Sequence, residues 1–291
     1  MHINEKCKTC LFRKSINDYP PAARPEQITA YRRGVGSIME RSESLSAPQI
    51  AEMVDDLHLR VFGAKKDFSE IKRHFNELML SLVPHMRQQI FSAPDPLKQA
   101  VQYAMAGNYI DFAVLDHVDE MQLQEALDPA AETAVDENVL GDFRTEALEA
   151  RRLVYFTDNC GEIVTDRLLV ETLRNLNPAL SVTVIVRGRP VLNDATIEDA
   201  RQVRMEEAAN RVLGNGTGMP GNVIGTISPE AMEEIDRADL LVAKGQGNFE
   251  GLSGCGLNLF YLFMCKCDLF TERFRVPRFT GIMMREAVVR M

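Results

Sequence analysis

The chain has 291 residues, 45% of them hydrophobic, with a net charge of −9 and six cysteines, which allows one large or two ordinary domains with a sizeable core. An acidic chain without a basic run is a poor nucleic-acid binder, and no apolar stretch approaches the length of a membrane span. Six cysteines over this length do not make a secreted disulfide scaffold, and the opening Met1-His2-Ile3-Asn4-Glu5-Lys6-Cys7 is no signal peptide, so a cytoplasmic protein with reduced thiols is expected.

In chain order, residues 1–150 read as helical. Ser46 to Val61 places Ile50, Met53, Val54, Leu57 and Val61 on one face, with Pro48 near its start. Phe68 to Phe91 continues the pattern with a break at Pro84. Asp95-Pro96 opens a further helix that Gly107 closes. Residues 119–150 are acidic, rich in Leu and Ala, and helical around a break near Asp128-Pro129. This half carries a net charge of −8 and the remainder −1.

The pattern changes near residue 151. Leu153–Thr157, Val182–Val186 and Leu240–Ala243 are short runs of β-branched, aromatic or aliphatic residues, each separated from the next by helical sequence. Leu259–Cys267 is either a fourth strand or a buried helix. Strands that alternate with helices predict a mostly parallel sheet covered on both faces. The expectation is therefore an α/β fold: a helical region over 1–150 and a three-layer α/β domain over 151–291 that binds metal and phosphate. The loop Gly214–Gly221 is glycine-rich and expected to be mobile.

Three predicted strand ends carry polar clusters: Asp158-Asn159 with Glu162 and Asp166, then Arg187 to Asp194, then Lys244 to Gly251. Ligands bind at the carboxyl edge of such sheets, and a helix start there favours anions. A carboxylate and an amide oxygen suit a hard cation such as Mg²⁺ or Mn²⁺. The plainer reading makes Asp158-Asn159 and Asp194 simple helix caps, and Arg187 and Lys244 solvated charges. Gly245, Gly247 and Gly251 miss the dinucleotide spacing by one residue, and neither a Walker loop nor a GxSxG elbow is present. All five histidines, at 2, 58, 74, 85 and 117, lie outside the α/β half. Cys7-x-x-Cys10 and Cys265-x-Cys267 make two thiol pairs, able to form a Cys₄ zinc site only if they meet in space. Cys160, at a helix start, is expected to have a lowered pKa.

Together, Asp158-Asn-Cys-Gly-Glu-Ile-Val-Thr-Asp166, Arg187-Gly-Arg-Pro-Val-Leu-Asn-Asp-Ala-Thr196 and Lys244-Gly-Gln-Gly-Asn-Phe-Glu-Gly251 resemble the metal-dependent damage-control phosphatases, domain-of-unknown-function family 89. Cys7-x-x-Cys10 and Lys266-Cys267 resemble its prokaryotic branch. The resemblance implies hydrolysis of phosphate monoesters, sugar phosphates or damaged phosphometabolites, with one divalent ion (Mg, Mn, Co or Ni) held by Asp158, Asn159 and Asp194. Cys160 stands where the family commonly has Ala, a change expected to spare the metal and add redox sensitivity. The segment after Asp268 fits the family less well.

The expected mechanism follows. Lys266, Lys244 and the backbone N–H groups of Gly245, Gly247 and Asn248 grip phosphate oxygens, and Arg187 adds a second cation. Glu162 or Asp166 orients water or supports those that do. Lys244 is the likelier bystander of the two lysines. The expected partner is a small phosphorylated metabolite, without nucleic acid or membrane. The alternatives are a non-catalytic nucleotide- or metabolite-binding α/β protein, or a protein carboxyl methyltransferase, an activity suggested for eukaryotic relatives.

Overall fold

The structure is a computed structural model that describes residues 2–107, 127–128 and 132–286. The expected break near Asp128-Pro129 and His117 lie wholly or partly outside those residues. Six helices come first: α1 Glu5–Ser15, α2 Pro25–Glu40, α3 Ala47–Phe62, α4 Ser69–Ser81, α5 Val83–Ser92 and α6 Pro96–Gly107. Helix α7, Glu137–Glu149, follows. Pro48 sits in the first turn of α3 behind Ser46, whose backbone N–H donates to Gln49 Oε1 at 2.9 Å. Pro84 splits the predicted 68–91 helix because it fits only the first turn of α5.

The sheet begins where the composition shifts. Its strands are β1 Arg152–Phe156, β2 Ser181–Val186, β3 Arg211–Gly214, β4 Leu240–Lys244, β5 Leu259–Met264 and β6 Gly281–Arg285. Their spatial order is β3-β2-β1-β4-β5-β6. All neighbours pair in parallel except β5 and β6. Leu259–Cys267 is thus a strand that ends at Met264, and β6 adds an antiparallel edge. Intervening helices are α8 Glu162–Leu176, α9 Ile197–Gln202, α10 Met205–Ala208, α11 Pro229–Asp236, α12 Gly245–Leu252 and α13 Asp268–Phe274.

Side chains alternate across the sheet, as a period of two requires. Leu153, Tyr155, Val182, Val184, Leu240, Val242, Phe260 and Leu262 join one core with Phe75 and Met79 of α4, α6, α7 and α8. Val154, Phe156, Ile185, Leu241, Tyr261 and Phe263 join the other, under α11, α12 and α13. This gives three layers. One core therefore holds residues from both sides of residue 150, and α6 packs directly on α8. Helices α1 to α3 bury their own cluster around Tyr31, Val35 and Ile50. The strand order reverses direction beside β1, where chains leave β1 and β4 toward opposite faces. The carboxyl ends of β2, β1 and β4 lie side by side at this switch point.

Candidate active site

The segment after β1 and the segment after β2 are stitched together by backbone bonds. Ala195 N–H donates to Asp158 O at 2.7 Å, Cys160 N–H to Asn193 O at 2.8 Å, and Asn159 and Asp194 form an antiparallel bridge. Asp158, Asn159 and Asp194 are thereby gathered at one edge of the sheet. Capping alone does not account for them. The cap of α8 is Gly161, at φ 68°, and the cap of α9 is Thr196. Neither acid occupies a cap position.

Arg187 lies between the two carboxylates and is 1% exposed. Its Nε donates to Asp194 Oδ2 at 2.5 Å, Nη2 to Asp158 Oδ1 at 3.4 Å and Nη1 to Asn248 Oδ1 at 3.2 Å. This guanidinium is a buried partner of the acids and not a solvated charge. Burial, with the charges of Asp194 and Glu162, pushes the Asp158 carboxyl up to about 8 despite the pull of Arg187 and Lys266. Burial also raises Asp194, against Arg187. Such a pair of buried, mutually repelling carboxylates favours additional positive charge.

Asn159 spends its amide N–H groups on Asp158 Oδ2 at 2.9 Å and Glu162 Oε2 at 3.1 Å. The amide oxygen is left to face a cation. Two carboxylates and one amide oxygen form a hard donor set that fits a divalent ion with its remaining positions open to water and phosphate. Among the described residues, no group of three or more His, Cys, Asp or Glu side chains forms a metal cluster, so an ion here depends on the amide.

Lys244 departs from the sequence reading. It is fully buried, and its ammonium donates to Glu162 Oε1 at 2.6 Å, Asp166 Oδ1 at 2.5 Å and Ala104 O at 2.7 Å. All three donors are used within the protein, so Lys244 is neither solvated nor available to a phosphate. Glu162 and Asp166 are also fully buried. Tyr155 OH donates to Asp166 at 2.8 Å. Both acids face Lys244 beneath the site, so neither is placed to orient water. Glu162 instead supports Asn159, while burial lifts the Asp166 carboxyl to about 7 against Lys244.

Helix α12 starts at the end of β4 and presents its first backbone N–H groups at this edge. Gly245 has φ 78°, and a Cβ there would lie 2.0 Å from Asp158 Oδ2. Only glycine allows both that backbone and that approach. Asn248 is fully used: its Nδ2 donates to Thr157 O and Lys244 O, and its Oδ1 accepts from Arg187 and Asn222. It ties strands together and has no group left for substrate. Lys266 is partly exposed just beyond β5. Its charge reaches Asp158, and its backbone N–H donates to Gln246 Oε1 at 2.8 Å.

Several contributors were not foreseen. Asn76 of α4 accepts from Gly161 N–H at 2.6 Å and donates to Asp199 and Gln202. Lys72, 7% exposed, pairs with Asp199 at 2.6 Å. A buried asparagine inside a helical pattern is the one trace that sequence offered. The glycine-rich loop is pinned: Asn215 is fully buried and accepts from Gly188 and Thr217 N–H, and Asn222 donates to Asn248.

The Cys160 expectation is reversed. At 2% exposure, burial and the Asp199 carboxylate raise its pKa in spite of the helix start. Cys7 lies near Cys10, Cys267 and Glu250, and burial together with those charges pushes it up to about 12.

The family model of the damage-control phosphatase ARMT1-like domain matches residues 3–280. The chain belongs to the ARMT1-like damage-control phosphatase family. Within it, a damage-control phosphatase of Archaeoglobus fulgidus is 30% identical over 92% of this chain and 93% of its own length. A damage-control phosphatase of Pyrococcus horikoshii is 33% identical over 98% of each. The crystal structure of a DUF89 family protein from Pyrococcus horikoshii superposes with a TM-score of 0.85 over 98% of this chain and 99% of that one, at 24% identity. At that identity the superposition speaks for the fold alone. The segment after Asp268, which the sequence motifs left aside, lies inside the family match as far as residue 280.

Proposed function

We propose that this family member is a divalent-metal-dependent phosphomonoesterase acting on small phosphorylated metabolites. Phosphatase activity is supported by the names of relatives that align over nearly the whole chain. The observation that carries the metal-dependent reading is the convergence of Asp158, Asn159 and Asp194 beside the start of α12 at the switch point.

Asp158, Asp194 and the Asn159 amide oxygen would hold the ion, which supplies charge neutralisation at the reacting phosphate. The rest of the chemistry belongs to the chain. Lys266 and the N–H groups at the start of α12 bind phosphate oxygens, the former as a full positive charge and the latter as fixed dipoles. Gly245 keeps α12 close to Asp158. Arg187 holds both carboxylates in place and limits their repulsion. The buried Lys244–Glu162–Asp166 group fixes Asn159 from below. Phosphoryl transfer depends mainly on such positioning and charge stabilisation.

The test is release of inorganic phosphate from 4-nitrophenyl phosphate in Mg²⁺, Mn²⁺, Co²⁺ or Ni²⁺, with and without chelator. Activity that requires one of these ions and no other cofactor supports the reading. Absence of hydrolysis with every ion, or hydrolysis indifferent to chelator, sinks it.

A further inference from the structure

Two loops carry the three oxygen donors: the turn after β1 brings Asp158 and Asn159, and the segment after β2 brings Asp194. On its outer side the second loop faces a cavity of about 680 Å³, lined by Pro190, Val191 and Leu192. Close packing therefore does not fix that side. Leu192 also holds φ 43°, a left-handed conformation that in a leucine persists only where the surroundings impose it. The position of Asp194 thus depends on what anchors the far end of its loop.

A side chain of α4 bonds toward both loops. Asn76 is fully buried. Its Oδ1 accepts from Gly161 N–H at 2.6 Å, two residues beyond Asn159. Gly161 has φ 68°, and a Cβ there would touch Phe75 and Met79 of α4 at 3.6 Å, so α4 lies directly against the turn. Asn76 Nδ2 donates to Asp199 Oδ1 at 2.9 Å. Asp199 Oδ2 accepts from Thr196 N–H at 2.8 Å and from Thr196 Oγ1 at 2.7 Å, two residues beyond Asp194. Lys72, one helical turn before Asn76, pairs with the same Oδ2 at 2.6 Å. Thr196 in turn bridges Arg187, whose Nε holds Asp194. The Asn76 amide has no freedom to flip. A backbone N–H only donates, so Oδ1 faces Gly161 and Nδ2 faces the carboxylate.

We propose that Asn76 is a positioning residue for the ion: it sets the spacing between the loops that carry Asp158, Asn159 and Asp194, with Asp199 and Lys72 as its anchor. The inference rests on the metal reading of those three residues. Asn76 touches neither ion nor substrate. Outer partners of metal ligands alter affinity roughly 10- to 100-fold, because a binding constellation tolerates little displacement of its donors.

The test is calorimetric titration of Mn²⁺ into wild type, Asn76→Ala, Asn76→Asp, Gln202→Ala and the exchanged pair Asn76→Asp with Asp199→Asn. Both Asn76 variants should raise Kd at least roughly tenfold. Asn76→Asp keeps an acceptor for Gly161 but sets a second carboxylate against Asp199. The exchanged pair again places one donor against one acceptor, at wild-type net charge, and should recover most of the lost affinity. Gln202 accepts from Asn76 at 2.8 Å and donates to Arg73 O at 2.9 Å, a branch that leads back to α4. Gln202→Ala should therefore lower the melting temperature without moving Kd. An unmoved Kd in both folded Asn76 variants, or an equal rise in Gln202→Ala, overturns the proposal. If wild type binds Mn²⁺ but hydrolyses no ester, the phosphatase reading fails alone and the Kd comparison stands. If wild type binds no ion, the metal reading fails separately, and amide NMR of the metal-free protein reads the loop spacing. Signals of Gly161 and Asp194 that move together in Asn76→Ala, and return in the exchanged pair, support the assignment; movement confined to Gly161 overturns it.

Discussion

Gly245 and Lys266 show how single residues shape this site. A methyl at Gly245 meets the Asp158 carboxylate at 2.0 Å and also forces a side chain into φ 78°. Gly245→Ala should lower stability by roughly 1–3 kcal/mol, the cost of such strain, and weaken metal binding in calorimetric titration; wild-type affinity in that variant would separate Gly245 from the site. Lys266, being partly exposed, should behave differently. Lys266→Ala is expected to lower kcat/KM at least roughly tenfold, about 1.4 kcal/mol, with little change in melting temperature. Wild-type kinetic constants would remove Lys266 from phosphate binding. Cys160 should resist alkylation at neutral pH until the protein unfolds, because burial and Asp199 oppose its thiolate; rapid labelling of the native protein would contradict that environment. The sequence revealed which residue types gather here, since strand ends show up as apolar runs meeting polar clusters. It did not reveal which face each side chain takes. Lys266 and Lys244 both follow apolar runs, yet one remains partly exposed and the other sits in a buried ion group, a difference set by α6 and α8 packing above Lys244.

At the scale of elements, the site depends on joints between helices and loops. Asn76 couples α4 to the start of α8 and to α9. Asn76→Ala leaves the Gly161 N–H without its partner, so unfolding in denaturant should show a loss of about 1–3 kcal/mol. The Lys244 joint is deeper. Lys244→Met strands two buried carboxylates and should cost about 3–5 kcal/mol; a stable, fully folded variant would show that Glu162 and Asp166 are neutral without it. Helices α3 to α6 and strands β1, β2 and β4 were legible from periodicity, caps and prolines, whereas periodicity left the run that forms β5 open between a strand and a buried helix. Two elements were not: β3 is four residues long, and β6 is a five-residue run, Gly281–Arg285, that follows a short helix. Both are edge strands whose pairing is decided by tertiary contacts, so local pattern carries little of it.

For the whole molecule, the helical region and the sheet act together at one edge. The core under α4 to α8 spans the composition change near residue 151, while α1 to α3 wall the cavity beside Asp194. Among the described residues no helix is long and apolar enough to cross a membrane. An ion that binds only the folded chain should stabilise all of it, by about 2.7 kcal/mol at a hundredfold excess over Kd.

The most direct measurement of the central claim is phosphate release from 4-nitrophenyl phosphate by wild type and Asp158→Asn, each titrated with Mn²⁺ after chelator treatment. Asparagine keeps the shape of the side chain and removes its charge. The account predicts saturable, Mn²⁺-dependent turnover in wild type and at least a hundredfold loss in the variant, about 2.7 kcal/mol or more, with weaker Mn²⁺ binding. Equal turnover and equal Mn²⁺ affinity in the two proteins would contradict it.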